Sequence, residues 1–467
     1  MVQIRKKFMY TNDVDMACYW LHVNDTLIKI PDVSEQDGII FYNVEVKIGE
    51  VKWKIMRRYN DFFELHQQLV NDHGVSKDLL PPKKVILNKS KAFIESRREA
   101  LQIYLQKLLQ YLKSAMPKEF WEFLEFHEYD IYFILQGMAI KLSSNSFKMS
   151  SEKEHEFTPL QLHAITKCLK QAVLEFDRNG KDCDLSNILD FFSELNSMVL
   201  CGSGTCYKNS NIIPNSLPFE LSSFKYLESL VIFNVNLDNI YCVDNLRNTV
   251  KKLGVHQTQA TKISNILQCD TVHKTVVDEK QSWNKLVEID FTCNAISEVD
   301  GSVGLAPLLT TMTLSKNKLT FFPDLSCLTN LKDLNLSKNM ITHCENLHTK
   351  LGNVVKIDLS QNRLTNLKGF SKLYSLESLD ISHNSIYNIE EAKNIGDLPC
   401  LEDVVLNGNP VAAIVDYRIK ILENFGERAK EICLDNEMPT QSELDKASVL
   451  RALKLAKDKN RSSKNEN

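Results

Sequence analysis

Arg97 and the basic cluster before it, Lys83 and Lys84 included, are the residues of this chain whose types and surroundings point most directly to chemistry, and that chemistry is anion binding. Arginine offers a planar fork of donors and lysine a point charge, and each charge-assisted hydrogen bond contributes roughly 1.5–3 kcal/mol. Arg97 falls in an apolar helical row, four residues after Phe93 and four before Leu101, so its guanidinium needs an anionic partner near the core. Residues 77–98 carry seven basic side chains against Asp78 and Glu95, a net of +5. The whole chain of 467 residues has 56 Lys+Arg against 60 Asp+Glu, a net of −4. No global field therefore directs it to nucleic acid, and anion recognition must be local.

The elements that would position these groups are legible from periodicity. Tyr42, Val44, Val46 and Ile48 alternate with polar residues, as do Val51, Trp53 and Ile55, and Gly49-Glu50 joins the two as a hairpin. Thr26 to Ile30 supplies a third strand that should end at Pro31. Phe62, Leu65 and Leu69 repeat at helical spacing until Gly74, and a second helix is expected from Ser90 to Leu112. Between the helices lies Leu80-Pro81-Pro82-Lys83-Lys84, followed by Val85, Ile86 and Leu87. An apolar tip beside several lysines is what a membrane-insertion loop needs, so these three are expected to dip into a bilayer.

Three ordered elements resemble the phox-homology (PX) lipid-binding family: Arg57-Arg58-Tyr59-x-x-Phe62, the Leu80 to Lys84 turn, and Arg97 at the following helix. The resemblance implies that Arg58 holds the 3-phosphate of phosphatidylinositol 3-phosphate and that Tyr59 packs under the inositol ring. It also implies that Lys84 meets the 1-phosphate and Arg97 the ring 4- and 5-hydroxyls.

The second half repeats itself. The template L-x-x-L-x-L-x-x-N-x-L recurs with asparagines at 294, 317, 339, 362, 384 and 409, and degenerate copies precede them with Val235 and Thr258 in the asparagine slot. This predicts a leucine-rich repeat solenoid of about eight units, closed by a cap over Arg418 to Lys430. The asparagine amides should satisfy backbone groups in the turns after the strands. Outward slots beside the strand leucines read Asp290, Thr313, Asn335, Asp358, Asp380 and Val405, and before them Glu288, Thr311, Asp333, Lys356, Ser378 and Asp403. An acidic face around Asp333, Asp358 and Asp380 is expected to receive a basic partner.

The expected class is an α+β phox-homology domain followed by an α/β leucine-rich repeat solenoid, with a helical linker between. The expected organisation is an N-terminal extension over 1–23, the lipid-binding domain over 24–130, a helical linker region over 131–215, the solenoid with its cap over 216–436, and a short helix with a disordered tail over 437–467. The 12 cysteines lack any C-x-x-C pair, so neither a metal site nor a cofactor is expected. His163 has no catalytic company, and no P-loop or nucleophile elbow occurs, so no enzyme is expected. No leader or membrane-spanning segment is read.

A group of phox-homology proteins bearing leucine-rich repeats is similar along 79–84 (LLPPKK), 104–109 (YLQKLL), 347–353 (LHTKLGN), 398–402 (LPCLE) and 425–429 (FGERA). That resemblance implies a cytoplasmic scaffold, peripheral on early or recycling endosomes, that restrains Rac-type GTPase pathway proteins or effector kinases and thereby actin remodelling and cell migration. The alternative is a sorting-nexin-like trafficking adaptor for membrane cargo. The integrin-tail region of that group lies beyond Asn467, so the resemblance leaves integrin and imidazoline recognition open for this chain. Self-association is compatible with the composition, and nucleic-acid binding is not expected.

Overall fold

In the computed structural model the described residues are 16–83, 90–143, 154–170, 186–271 and 279–465. The chain divides into two compact units, Met1–Ser193 with Cys201–Ser223, and Glu194–Leu200 with Phe224–Asn467.

The first unit is built on an antiparallel meander of β1 (Leu27–Gln36), β2 (Ile39–Ile48) and β3 (Val51–Arg58). Ile48 pairs with Val51 across the turn, where Gly49 takes φ +57°, a left-handed conformation that favours glycine. Alternation buries Val44, Val46, Trp53 and Ile55 on one face. β1 does not end at Pro31 as the sequence suggested. It continues with a register shift between Lys29 and Asp32, because a bulge on an edge strand tolerates the missing N–H. Helix α1 (Tyr59–His73) buries Phe62, Leu65 and Leu69 and stops at Gly74, whose φ is +66°. Helix α2 (Lys91–Tyr111) buries Leu101, Tyr104, Leu105 and Leu108, and its polar side covers the exposed edge of β1. There Gln102 Oε1 accepts the Ile30 N–H at 2.8 Å, Gln106 Nε2 donates to Ile28 O at 3.1 Å, and Arg98 Nη1 donates to Ile30 O.

Two expected boundaries move. Residues 16–19, read as part of an extension, are buried, and Ala17 bridges to Asp130. Residues beyond 130, read as a linker, belong to this unit. The helix Ile131–Ser143 starts under the Asp130 carboxylate, which accepts the N–H groups of Tyr19 (2.5 Å), Tyr132 (2.9 Å) and Phe133 (3.3 Å). The segment around Ser210 lies against β3, with Lys54 N donating to Asn209 O and Asn211 N to Lys52 O, both at 3.1 Å. It supplies the pairing that an open edge strand lacks.

The second unit is a parallel solenoid sheet. From the C-terminal end it runs β12 (Cys433–Leu434), β11 (Asp403–Val405), β10 (Ser378–Asp380), β9 (Lys356–Asp358), β8 (Asp333–Asn335), β7 (Thr311–Thr313), β6 (Glu288–Asp290), β5 (Lys252–His256) and β4 (Ser229–Phe233). Strict register stacks Ile289, Met312, Leu334, Ile357, Leu379 and Val404 into one buried row. The asparagines form a second ladder. Asn339 Nδ2 lies 2.9 Å from Leu314 O, 3.0 Å from Leu336 O and 3.2 Å from Ser337 O, while Oδ1 accepts the Leu319 N–H at 3.0 Å. Asn317, Asn362 and Asn384 repeat that pattern. The cap contains α3 (Tyr417–Leu422), tied by an Arg418–Glu443 ion pair of 2.8 Å to the last helix, α4 (Gln441–Asn465). This helix continues through Asn465, where a disordered tail was expected.

Candidate phosphoinositide site

β3 and α1 meet at two arginines that strand alternation sends to opposite faces. Arg57 points inward, donating to Phe123 O (3.0 and 2.7 Å) and to Glu125 Oε1 (3.0 Å), a structural task. Arg58 points outward, and its side chain is 46% exposed. Its backbone N–H donates to Asp61 Oδ2 at 2.7 Å, the carboxylate half of a capping box, and its guanidinium reaches Asp61 Oδ1 at 3.0 Å. An exposed pair of this kind contributes at most about 1 kcal/mol, so the fork is cheaply freed for a phosphate.

Tyr59 follows at the first turn of α1 and donates its hydroxyl to Pro81 O at 2.6 Å, pinning the Leu80 to Lys83 turn beside the helix start. On its ring lies Arg97, with the guanidinium carbon 4.3 Å from the Tyr59 centroid and 4.3 Å from that of Phe93. The cation thus sits over two aromatic rings, each contact worth about 0.5–2 kcal/mol. Burial pushes the Tyr42 and Tyr59 hydroxyls above their ordinary range, while the Arg97 cation pulls both back. Arg97 Nη2 is buried with no hydrogen-bond partner among the described residues. An unpaired buried charged donor is costly, and an oxygen-rich ligand would satisfy it.

The structure therefore brings Tyr59 and Arg97 into contact one residue from Arg58. Lys84, Val85, Ile86 and Leu87 lie outside the described residues. Lys83 is described: its Nζ stands 6.0 Å from the centroid of Phe63, a ring 36% exposed on α1. Sequence reasoning assigned no site role to Phe93. Its spacing of four from Arg97 was visible, but an aromatic in a helical row reads first as core. In the first unit a cavity of about 380 Å³, lined by Trp121, His127 and Ile134 among others, shares no wall with Tyr59 or Arg97.

In the second unit Asp358 Oδ1 accepts the Ser360 N–H and Asp380 Oδ1 the Ser382 N–H, each at 2.9 Å. These carboxylates close the turn after their strands through one oxygen each. Asp333 makes no such bond and lies between Thr311 and Lys356 in the sheet.

The family model described as PX domain matches residues 45–127, and that described as leucine rich repeat matches 329–386. Residues 45–127 form a PX domain. A leucine-rich repeat region follows it, and both are binding modules. Among curated proteins, sorting nexin MVP1 of Candida albicans is 32% identical over 113 residues, 22% of this chain and 15% of that protein. Sorting nexin-8 of Mus musculus is 28% identical over 115 residues, 24% of this chain and 25% of that protein. Vacuolar protein sorting-associated protein vps5 of Schizosaccharomyces pombe is 34% identical over 95 residues, 20% of this chain and 16% of that protein. The chain thus spans a quarter or less of the length of these relatives. Among solved structures, a designed CISK-PX domain is 29% identical, with a TM-score of 0.20, covering 21% of this chain and 95% of that one. The leucine-rich repeat protein LIC12759 of Leptospira interrogans is 18% identical, with a TM-score of 0.38, covering 56% of this chain and 66% of that one. No described helix is long and apolar enough to cross a membrane.

Proposed function

We propose that this chain is a non-enzymatic scaffold that binds phosphatidylinositol 3-phosphate through its PX domain and holds partner proteins on its repeats at the endosomal surface. One observation carries the lipid half: the Arg97 guanidinium sits over the rings of Tyr59 and Phe93 with an unsatisfied donor, next to an exposed Arg58. Arg58 takes the 3-phosphate, Tyr59 the face of the inositol ring, Arg97 the ring hydroxyls and Lys84 the 1-phosphate. Val85, Ile86 and Leu87 enter the bilayer once the headgroup is held.

For the repeats, the reading is that Asp333, Asp358 and Asp380 draw a basic partner surface. The pairing of a PX domain with these repeats resembles nischarin, which supports partners in Rac-type GTPase signalling and an outcome in actin remodelling and migration. Sorting nexins among the curated relatives favour a second reading, a trafficking adaptor for membrane cargo.

Proximity labelling in cells, with the parent chain and Arg58→Ala, tests both. Lipid-dependent neighbours drawn from GTPase pathways support the scaffold, and cargo receptors support the adaptor. A neighbour set unchanged by Arg58→Ala would refute lipid-directed placement altogether.

A further inference from the structure

The last helix of the second unit, α4 (Gln441–Asn465), is anchored along one side only. Glu443 receives Arg418 at 2.8 Å, Ala447 is buried, Leu450 is half-buried, and Lys454 Nζ stands 2.8 Å from Glu423 Oε2 and 3.8 Å from Glu390 Oε1. These four positions recur at spacings of four, three and four, and so form the inward stripe.

The opposite stripe is apolar. Val449, Ala452, Leu453 and Ala456 stand at i, i+3, i+4 and i+7, and all four are exposed, Val449 by 61% and Leu453 by 55%. A surface helix ordinarily turns polar residues to solvent there, so the row calls for a covering surface. Asp445 bounds it on the N-terminal side, where its carboxylate accepts from Gln441 Nε2 at 2.9 Å. Past Ala456 the sequence brings Lys457, Lys459, Arg461 and Lys464 against Asp458, a net of +3. Cations near a helix C-terminus also suit the backbone dipole, but the dipole gives no use to the apolar row.

We propose that the outward stripe of α4 is a second membrane contact, which lies in the surface of an anionic bilayer with Val449 and Leu453 at the acyl boundary and the positive charge that follows drawn to acidic headgroups. An apolar row set in a basic helix is the pattern of interfacial helices, and its charge selects acidic over neutral lipid. The same charge disfavours a second copy of this chain as the cover, since two such helices side by side would bring like charges together. No described helix is long and apolar enough to cross a bilayer, so the contact is with its surface. The ligand is the charge of the leaflet rather than one headgroup, and the site is independent of the phosphoinositide reading.

The test adds vesicles of phosphatidylcholine with roughly one-third phosphatidylserine, and no phosphoinositide, to the full chain carrying Leu453→Trp. Part of the phosphatidylcholine is brominated on its acyl chains. Emission in excess of the parent's reports position 453, so any contribution from the basic segment 77–98 cancels. That emission should shift to the blue and be quenched as vesicles are added. With Leu453→Trp as the reporter, Lys457→Glu with Arg461→Glu should lower vesicle affinity about 10-fold or more. Val449→Ser should lower it about 3- to 10-fold at an unchanged melting temperature. No excess quenching at millimolar lipid, or an equal response on pure phosphatidylcholine, overturns the proposal. So does a dimer seen by analytical ultracentrifugation without lipid that Val449→Ser with Leu453→Ser abolishes, because the row would then belong to a second copy. Arg58→Ala should leave the quenching intact, which separates failure here from failure of the PX site.

Discussion

Asn339→Ala should cost the solenoid more than any exposed asparagine, and the structure fixes how much. The amide is 7% exposed. Its two N–H groups face three carbonyls within 3.2 Å, and its oxygen takes the Leu319 N–H, so at most three hydrogen bonds operate at once. A lost partner that stays buried costs about 1–3 kcal/mol, which sets a ceiling of about 9 kcal/mol, and water entering the turn lowers it to roughly 3–5 kcal/mol. Asn339→Asp should be at least as damaging, because it keeps the size and the acceptor but turns oxygens toward carbonyl oxygens. Urea unfolding of the second unit, followed by Trp283 fluorescence, gives the stability; hydrogen exchange at the Leu319 amide gives the local effect. A loss below about 1 kcal/mol with Leu319 still protected would refute the ladder as the element that holds the turns.

Asp130 is fully buried, and burial pushes its carboxyl up to about 7 against three backbone N–H donors, so its contribution is favourable when protonated and declines as pH rises from about 4 to 7. The parent should lose stability relative to Asp130→Asn over that window, by up to about 4 kcal/mol, and a pH-independent difference in urea midpoints would contradict it. Lys338 sits at φ +56°, so thermal melts should rank Lys338→Gly at or above the parent and Lys338→Val below it by about 1–2 kcal/mol. Replacing Ile86 and Leu87 with Ser should weaken binding to phosphatidylinositol 3-phosphate liposomes several-fold at an unchanged melting temperature; a large fall in melting temperature would mean that they pack internally.

Much of the architecture was legible because its signals are local. Period-two alternation marked β2 and β3, Gly74 marked the end of α1, and asparagines every 22 to 25 residues marked the solenoid. What stayed hidden rests on distant backbone contacts. Tyr19 meets Asp130 across 111 residues, and Asn211 reaches Lys52 across 159 through backbone and side-chain amide bonds that no local periodicity announces. In the candidate site, the motif marked Arg58, Tyr59 and Arg97, but only the fold shows that Arg57 is structural and that Phe93 completes the stack. The turn-closing role of Asp358 and Asp380 is readable in the sequence as Asp-x-Ser, a pattern in which the carboxylate takes the N–H two residues on.

Calorimetric titration of soluble dibutanoyl phosphatidylinositol 3-phosphate into the parent chain and Arg97→Lys tests the lipid site most directly. Lysine keeps the charge but has neither the guanidinium plane that sits against Tyr59 and Phe93 nor the fork of donors that the proposed reading assigns to the ring hydroxyls. The parent should bind saturably, and Arg97→Lys about tenfold or more weakly at an unchanged melting temperature. Equal affinity in the two proteins, or no binding by the parent, would contradict the assignment.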